Sequence, residues 1–167
     1  MHLRLRPLRT GDEVQARAAH AEMSSEGFRF LLDGYVDGEP WRPYVRRVER
    51  ARCDPPAGMV ASTLLVAEVD GEIVGRTSIR HELNDMLLRI GGHIGYGVRP
   101  QHRRRGFATE ILRQSLIVAR SLGIDSVLVT CDEGNLGSMT VIERCGGVLE
   151  NIVGVPGQPN KRRYWIG

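Results

Sequence analysis

Leu3 and Leu5 alternate with Arg4 and Arg6, the period of two expected of a half-exposed strand, and Pro7 closes the run. Thr10-Gly11-Asp12-Glu13 offers a capping box, so a helix is expected from there to about Met23. Residues 24–61 show no sustained period: Gly27, Gly34, Gly38 and Pro40 interrupt them, residues 41–52 read as a helix and residues 53–58 as a loop. Regularity returns in two β-rich runs, residues 62–69 and 72–80, joined by Asp70-Gly71, whose tolerance of positive φ suits a two-residue hairpin turn. A polar connection through Arg89 leads to a strand over residues 92–98. Gly95 and Gly97 weaken its ladder and mark a bulge or the close approach of another chain or a ligand. From Gly106 to about Leu122, Ala108, Ile111, Leu112, Ser115, Leu116 and Ala119 fall on one helical face. Val127, Leu128 and Val129 are apolar in succession, as in a strand covered on both faces. Asn135-x-x-Ser138 then opens a short helix ending at Gly146-Gly147, and residues 148–155 and 162–166 form a terminal hairpin. The order is α/β: a mixed sheet of six or seven strands with about four helices, in a single domain spanning residues 1–167.

Composition narrows the function classes. The Met1-His2-Leu3-Arg4 start lacks the continuous apolar run of a signal peptide, and no window approaches the roughly 18 apolar residues of a membrane span, so no membrane partner and a cytoplasmic location are expected. Cys53, Cys131 and Cys145 show no C-x-x-C spacing and read as reduced thiols, and no metal site is expected. A net charge of +3 with scattered basic residues argues against nucleic-acid binding. Lys161-Arg162-Arg163 reads as a solvated hairpin edge. A homodimer through the terminal strands is compatible with the chain, though no residue demands it.

The candidate chemistry lies between the strand ending at Val98 and the helix opening at Gly106. Arg103, Arg104 and Arg105 surround a turn into which a helix N-terminus points its unpaired amides and positive dipole end, an arrangement that favours an anion such as a pyrophosphate. Gly106 and Ala108 keep bulk away from those amides. No lysine stands where a Walker loop needs one, and Pro100 occupies the third glycine position of G-x-G-x-x-G.

Arg103-x-x-Gly106-x-Ala108, after a strand ending in Val-x-Pro, resembles the Q/R-x-x-G-x-G/A signature of the GNAT superfamily of acetyl-CoA-dependent N-acetyltransferases. The helix, strand and Asn135-x-x-Ser138 that follow stand in the order those proteins show. The runs Gly92-His93-Ile94-Gly95-Tyr96-Gly97-Val98, Thr130-Cys131-Asp132 and Arg163-Tyr164-Trp165-Ile166 resemble, more narrowly, a bacterial group of acetyltransferases without an assigned substrate. The resemblance implies a sheet splayed at its centre, with acetyl-CoA as acyl donor lying in the opening. Gly97, Val98, Arg103, Arg104, Arg105, Gly106, Phe107, Ala108, Thr109, Asn135 and Ser138 are its implied contacts. It also implies direct attack on the thioester by an amine of a small molecule or peptide, with His81 and Asn84 on the acceptor side.

Two positions depart from that family pattern. Ile142 stands where many members carry the tyrosine that protonates the leaving sulfur, and Gly92 where the basic carboxylate is usual. His93 and Tyr96 become the catalytic candidates: His93 because imidazole titrates near neutrality, Tyr96 because it shares the Val98 face and can orient the amine, fix a water or donate to sulfur. The same departures leave open a noncatalytic acyl-CoA-binding or sensing module. Glu26, Asp33, Asp37 and Glu39 make the first part of this poorly legible region, residues 24–40, acidic, which suits a cationic amine as well as a solvated loop.

Overall fold

Asp70 and Gly71 carry φ of 50° and 83°, so the turn joining β2 (Ser62–Val69) to β3 (Glu72–Arg80) forms where the sequence places it. The computed structural model describes residues 2–167. β1 (Arg4–Pro7) and β4 (Ile94–Val98) flank this hairpin in an antiparallel sheet of order β1-β2-β3-β4. β5 (Val127–Asp132), β6 (Val148–Val153) and β7 (Lys161–Ile166) make a second antiparallel sheet, β5-β7-β6. The helices are α1 (Glu13–Ser24), α2 (Trp41–Arg50), α3 (Phe107–Ser121) and α4 (Leu136–Arg144). None is long and apolar enough to cross a membrane.

The sheets meet at one seam. The His93 N–H donates to Leu128 O (2.7 Å), and the Leu128 N–H donates to His93 Nδ1 (2.9 Å). At the other ends of their strands, Tyr96 to Val98 and Asp132 line a common cavity, so β4 and β5 run in the same direction and diverge from the seam. α3 closes one side of the splay: Ile111, Leu112, Leu116 and Ala119 are buried, and Ser115 Oγ donates to Thr77 Oγ1 (3.0 Å) of β3. Met23 of α1, Tyr44 of α2 and Phe30 between them cover the opposite face of the first sheet.

Several expectations are corrected. The strand anticipated from residue 92 begins at Ile94, because Gly92 sits at φ 68° and a Cβ there would come within 2.6 Å of Leu128 O. Gly95 and Gly97 make no bulge, since β3–β4 register runs unbroken from Gly75↔Val98 to Ile79↔Ile94. Side chains approach them instead: a Cβ on Gly97 would lie 2.5 Å from Phe28 Cζ and 2.9 Å from Met23 Cε. Gly97→Ala is therefore expected to displace the Phe28 ring and destabilise the fold by about 1–3 kcal/mol, read as a lower urea midpoint. The Thr10–Glu13 capping box is replaced by Asp12, whose carboxylate accepts the Arg9 N–H (2.7 Å) and a bidentate grip from Arg6. Lys161-Arg162-Arg163 is no solvated edge: β7 is the middle strand, so Arg163 is buried against Leu88 O and Glu150, and Lys161 pairs with Asp132.

Three histidines are embedded as hydrogen-bonded neutral rings. His20 Nδ1 accepts the Leu31 N–H (3.0 Å), His81 Nε2 lies 2.8 Å from Thr63 Oγ1, and His93 Nδ1 accepts at the seam. Burial pushes all three below the ordinary histidine value. Below about pH 6.5 the unfolded chain takes up protons that the folded one refuses. Stability is therefore full above that pH and falls as pH drops through the window towards the folded values. Denaturant unfolding at stepped pH is expected to show proton uptake of no more than one per histidine there, before carboxylates contribute; a flat profile would contradict it.

Candidate active site

A cavity of about 880 Å³ opens where β4 and β5 part. Its walls come from the end of α1, the end of β4, the turn before α3 and the start of α4.

The turn is built from left-handed backbone. Arg104 has φ 63° and Gly106 φ 81°, which bends the chain so that α3 begins at Phe107 with its axis end on the cavity. Glu110 is the first residue whose N–H reaches an intrahelical acceptor, Gly106 O (3.2 Å), so the Phe107, Ala108 and Thr109 amides have none within the helix. A Cβ on Gly106 would meet nothing within 4 Å, leaving φ as the reason for glycine there.

The three arginines take different tasks. Arg103 is fastened to protein, with Nε donating to Val98 O (3.0 Å) and Nη2 2.5 Å from Glu26 Oε2, which ties the turn to the end of α1. Arg103 and Arg104 both line the cavity. Arg105 stacks over the Phe107 ring (5.1 Å) and is not among the lining residues, so it forms an outer rim.

β4 supplies the second wall. The Arg80 N–H donates to His93 O (2.7 Å) and the Arg99 N–H to Val74 O (2.8 Å), so alternate residues, Gly95 and Gly97, face β3 in the ladder. The backbone of Tyr96 and Val98 therefore faces the opening. Of the two contacts expected at this strand, the Val98 N–H is available, whereas the Gly97 amide belongs to β3. Tyr96 Oη is buried without a hydrogen bond of good geometry, although the Ser138 side chain is close enough to act on it, and burial pushes its phenol above the ordinary value. It stays protonated at neutral pH, able to donate and unable to act as base.

Asn135 and Ser138 both line the cavity, and Asn135 Oδ1 accepts the Ser138 N–H (3.1 Å), so Asn135 caps α4. His81, Asn84 and His93 are not among the lining residues. His93 is occupied with the seam. His81 leans on Thr63, and Asn84 Oδ1 accepts the Leu87 N–H (2.9 Å) to start a helical turn over Leu87–Gly91. The two departures gain a structural reason: Ile142 is fully buried in the core beneath α4, and nothing larger than glycine fits at residue 92. Burial pushes the Cys131 thiol up to about 11, leaving it unsuited to nucleophilic attack at neutral pH.

Sequence reasoning missed Met23, Gly27 and Phe28, which form the wall facing β4. Met23 ends the helix the sequence predicts, Gly27 and Phe28 lie where no period was legible, and the glycine at residue 97, bare on the side they occupy, was the one available signal.

The family described as an acetyltransferase (GNAT) domain matches residues 2–148. The chain belongs to the GNAT acetyltransferase family. Solved structures agree in fold. One from Salmonella typhimurium, described as an acetyltransferase with its cofactor acetyl-CoA, is 14% identical with a TM-score of 0.67 and covers 98% of this chain and 92% of its own. A spermidine N-acetyltransferase from Vibrio cholerae, in complex with CoA and spermine, is 19% identical with a TM-score of 0.68, covering 98% and 94%. A GNAT-family acetyltransferase from Streptococcus pneumoniae is 17% identical with a TM-score of 0.67, covering 98% of each chain. No curated protein sequence matches. The splay is the gap beyond the His93–Leu128 seam.

Proposed function

We propose that this protein is an N-acetyltransferase moving the acetyl group of acetyl-CoA to an amine by direct attack on the thioester. The supporting observation is one cavity running from the bare first-turn amides of α3 to the Tyr96–Val98 backbone, with Tyr96, whose hydroxyl is buried and unbonded, among its lining residues. The residues suit a diphosphate-bearing thioester: glycine bend, helix N-terminus and Arg104 at one end, strand backbone to pair with amides along the side. Bound there, acetyl-CoA supplies an activated acyl group on a thiol leaving group.

The protein contributes position, dipoles and one proton donor. The first turn of α3 and Arg104 hold the diphosphate, and the Tyr96 and Val98 backbone orients the pantetheine amides. The Val98 N–H faces the position where negative charge develops on the carbonyl oxygen. Tyr96 Oη donates to the departing sulfur. An amine of pKa near 10.4 is neutral in roughly one molecule in a few thousand at pH 7, and Asp132 is held by Lys161, so a water relay takes the amine proton.

A rival reading, a noncatalytic acyl-CoA sensor, draws on Gly92 and Ile142. Release of free thiol from acetyl-CoA over an amine panel separates the two. Tight CoA binding without turnover on any amine, alcohol or protein would favour the sensor.

A further inference from the structure

The end of α1 is a helix cap that delivers two side chains onto β4. Gly27, at φ 79°, turns the chain left-handed, so the Gly27 N–H donates to Ser24 O (3.0 Å) and the Phe28 N–H to Met23 O (3.0 Å). This pairing closes the helix and folds Phe28 back beside Met23. Both side chains then land on one strand residue: a Cβ on Gly97 would lie 2.5 Å from Phe28 Cζ and 2.9 Å from Met23 Cε. Arg76 braces the ring. Its guanidinium stands 4.2 Å from the Phe28 centroid and donates to Phe30 O (3.1 Å), Gly95 O (2.9 Å) and Arg29 O, so the ring is held between the strand and an anchored cation.

Met23, Phe28 and Gly97 line the same cavity as Tyr96 and Val98. Gly97 directly precedes Val98, whose N–H faces the place of the thioester carbonyl oxygen. By standard bond lengths, the ring edge that touches Gly97 lies no more than about 7 Å from that nitrogen. A carbonyl oxygen hydrogen-bonded at about 2.9 Å takes up much of this span. The two sides of β4 also differ here. Towards α3 the strand carries the Tyr96 and Val98 side chains, whereas towards α1 it is bare, and Phe28 and Met23 fill what the glycine leaves.

We infer that Phe28 and Met23 form the floor of the acyl subsite and hold the donor to a two-carbon acyl group, with Phe28 setting the limit. The inference rests on the reading of the cavity given above and extends it from the cofactor to the chain that the cofactor carries. A longer acyl chain has to displace a ring fixed by a helix cap on one side and by Arg76 on another. Overpacking of that kind is costly.

The test is calorimetric and needs no acceptor. Acetyl-CoA, propionyl-CoA, butyryl-CoA and free CoA are titrated into wild type, Phe28→Leu and Phe28→Ala, and thiol release with an amine panel is followed with the same donors. Wild type is expected to bind acetyl-CoA about 10-fold or more tighter than butyryl-CoA, with propionyl-CoA between them. Phe28→Ala should bring that ratio to one or invert it, because the vacated space is apolar and a methylene buried there gains affinity. Phe28→Leu, which keeps more of the core volume, should move it part of the way and carries the test alone if the alanine variant does not fold. Ratios are read within each variant, so a general loss of affinity or stability cancels. Wild type that binds free CoA yet takes butyryl-CoA as tightly as acetyl-CoA, or a ratio unchanged in the folded variants, would overturn the inference alone. A wild-type protein that binds no CoA at all would instead remove the reading of the cavity, and this inference with it.

Discussion

Gly106→Glu is expected to weaken CoA binding by at least ~100-fold while leaving the fold intact, because it removes charge-assisted amide contacts and adds a like charge beside them. At φ 81° any L-residue is strained by about 1–2 kcal/mol. The space around Gly106 is open, so no core contact is lost. Calorimetry should show the lost affinity and thermal unfolding a drop of only a few degrees. Gly106→Ala separates the parts: it carries the backbone strain without the charge and is expected to fall between wild type and the glutamate variant. Full affinity in a folded Gly106→Glu protein would mean that the diphosphate binds elsewhere.

Tyr96→Phe is expected to lower kcat by about 10–100-fold, the lower part of the range for a positioned acid, since a thiol of pKa near 8.5 already leaves fairly well. KM for the donor should change little, as the ring still packs on the cavity wall. Stability should stay level or rise, by up to about 1 kcal/mol, because the substitution deletes a buried hydroxyl that makes no hydrogen bond of good geometry in the folded protein. That opposition of signs distinguishes a catalytic hydroxyl from a structural one, whose removal lowers stability. The loss should also shrink with thioesters of more acidic thiols, which need less help to depart. An unchanged kcat would exclude Tyr96 as donor and leave solvent to protonate the sulfur.

The sequence by itself determined what depends on neighbours along the chain. Asp70-Gly71 specified its hairpin because few residues tolerate paired positive φ, and α3 took the face from Ile111 to Ala119 because its apolar spacing admits one buried side. The turn from Arg103 to Thr109 was legible because left-handed bend, helix start and charge are all local. The tertiary structure decided what depends on partners distant in the chain. His93, an eligible base on composition, is claimed by Leu128, 35 residues away, and Arg103, an eligible phosphate ligand, is claimed by Glu26, 77 residues away. Gly97 announced that something would approach β4 but could not name Phe28, since the loop carrying it has no period of its own and is held by Arg76 through backbone carbonyls. Local chemistry writes its signal in consecutive residues, whereas the occupancy of a side chain's hydrogen bonds is settled when remote segments pack.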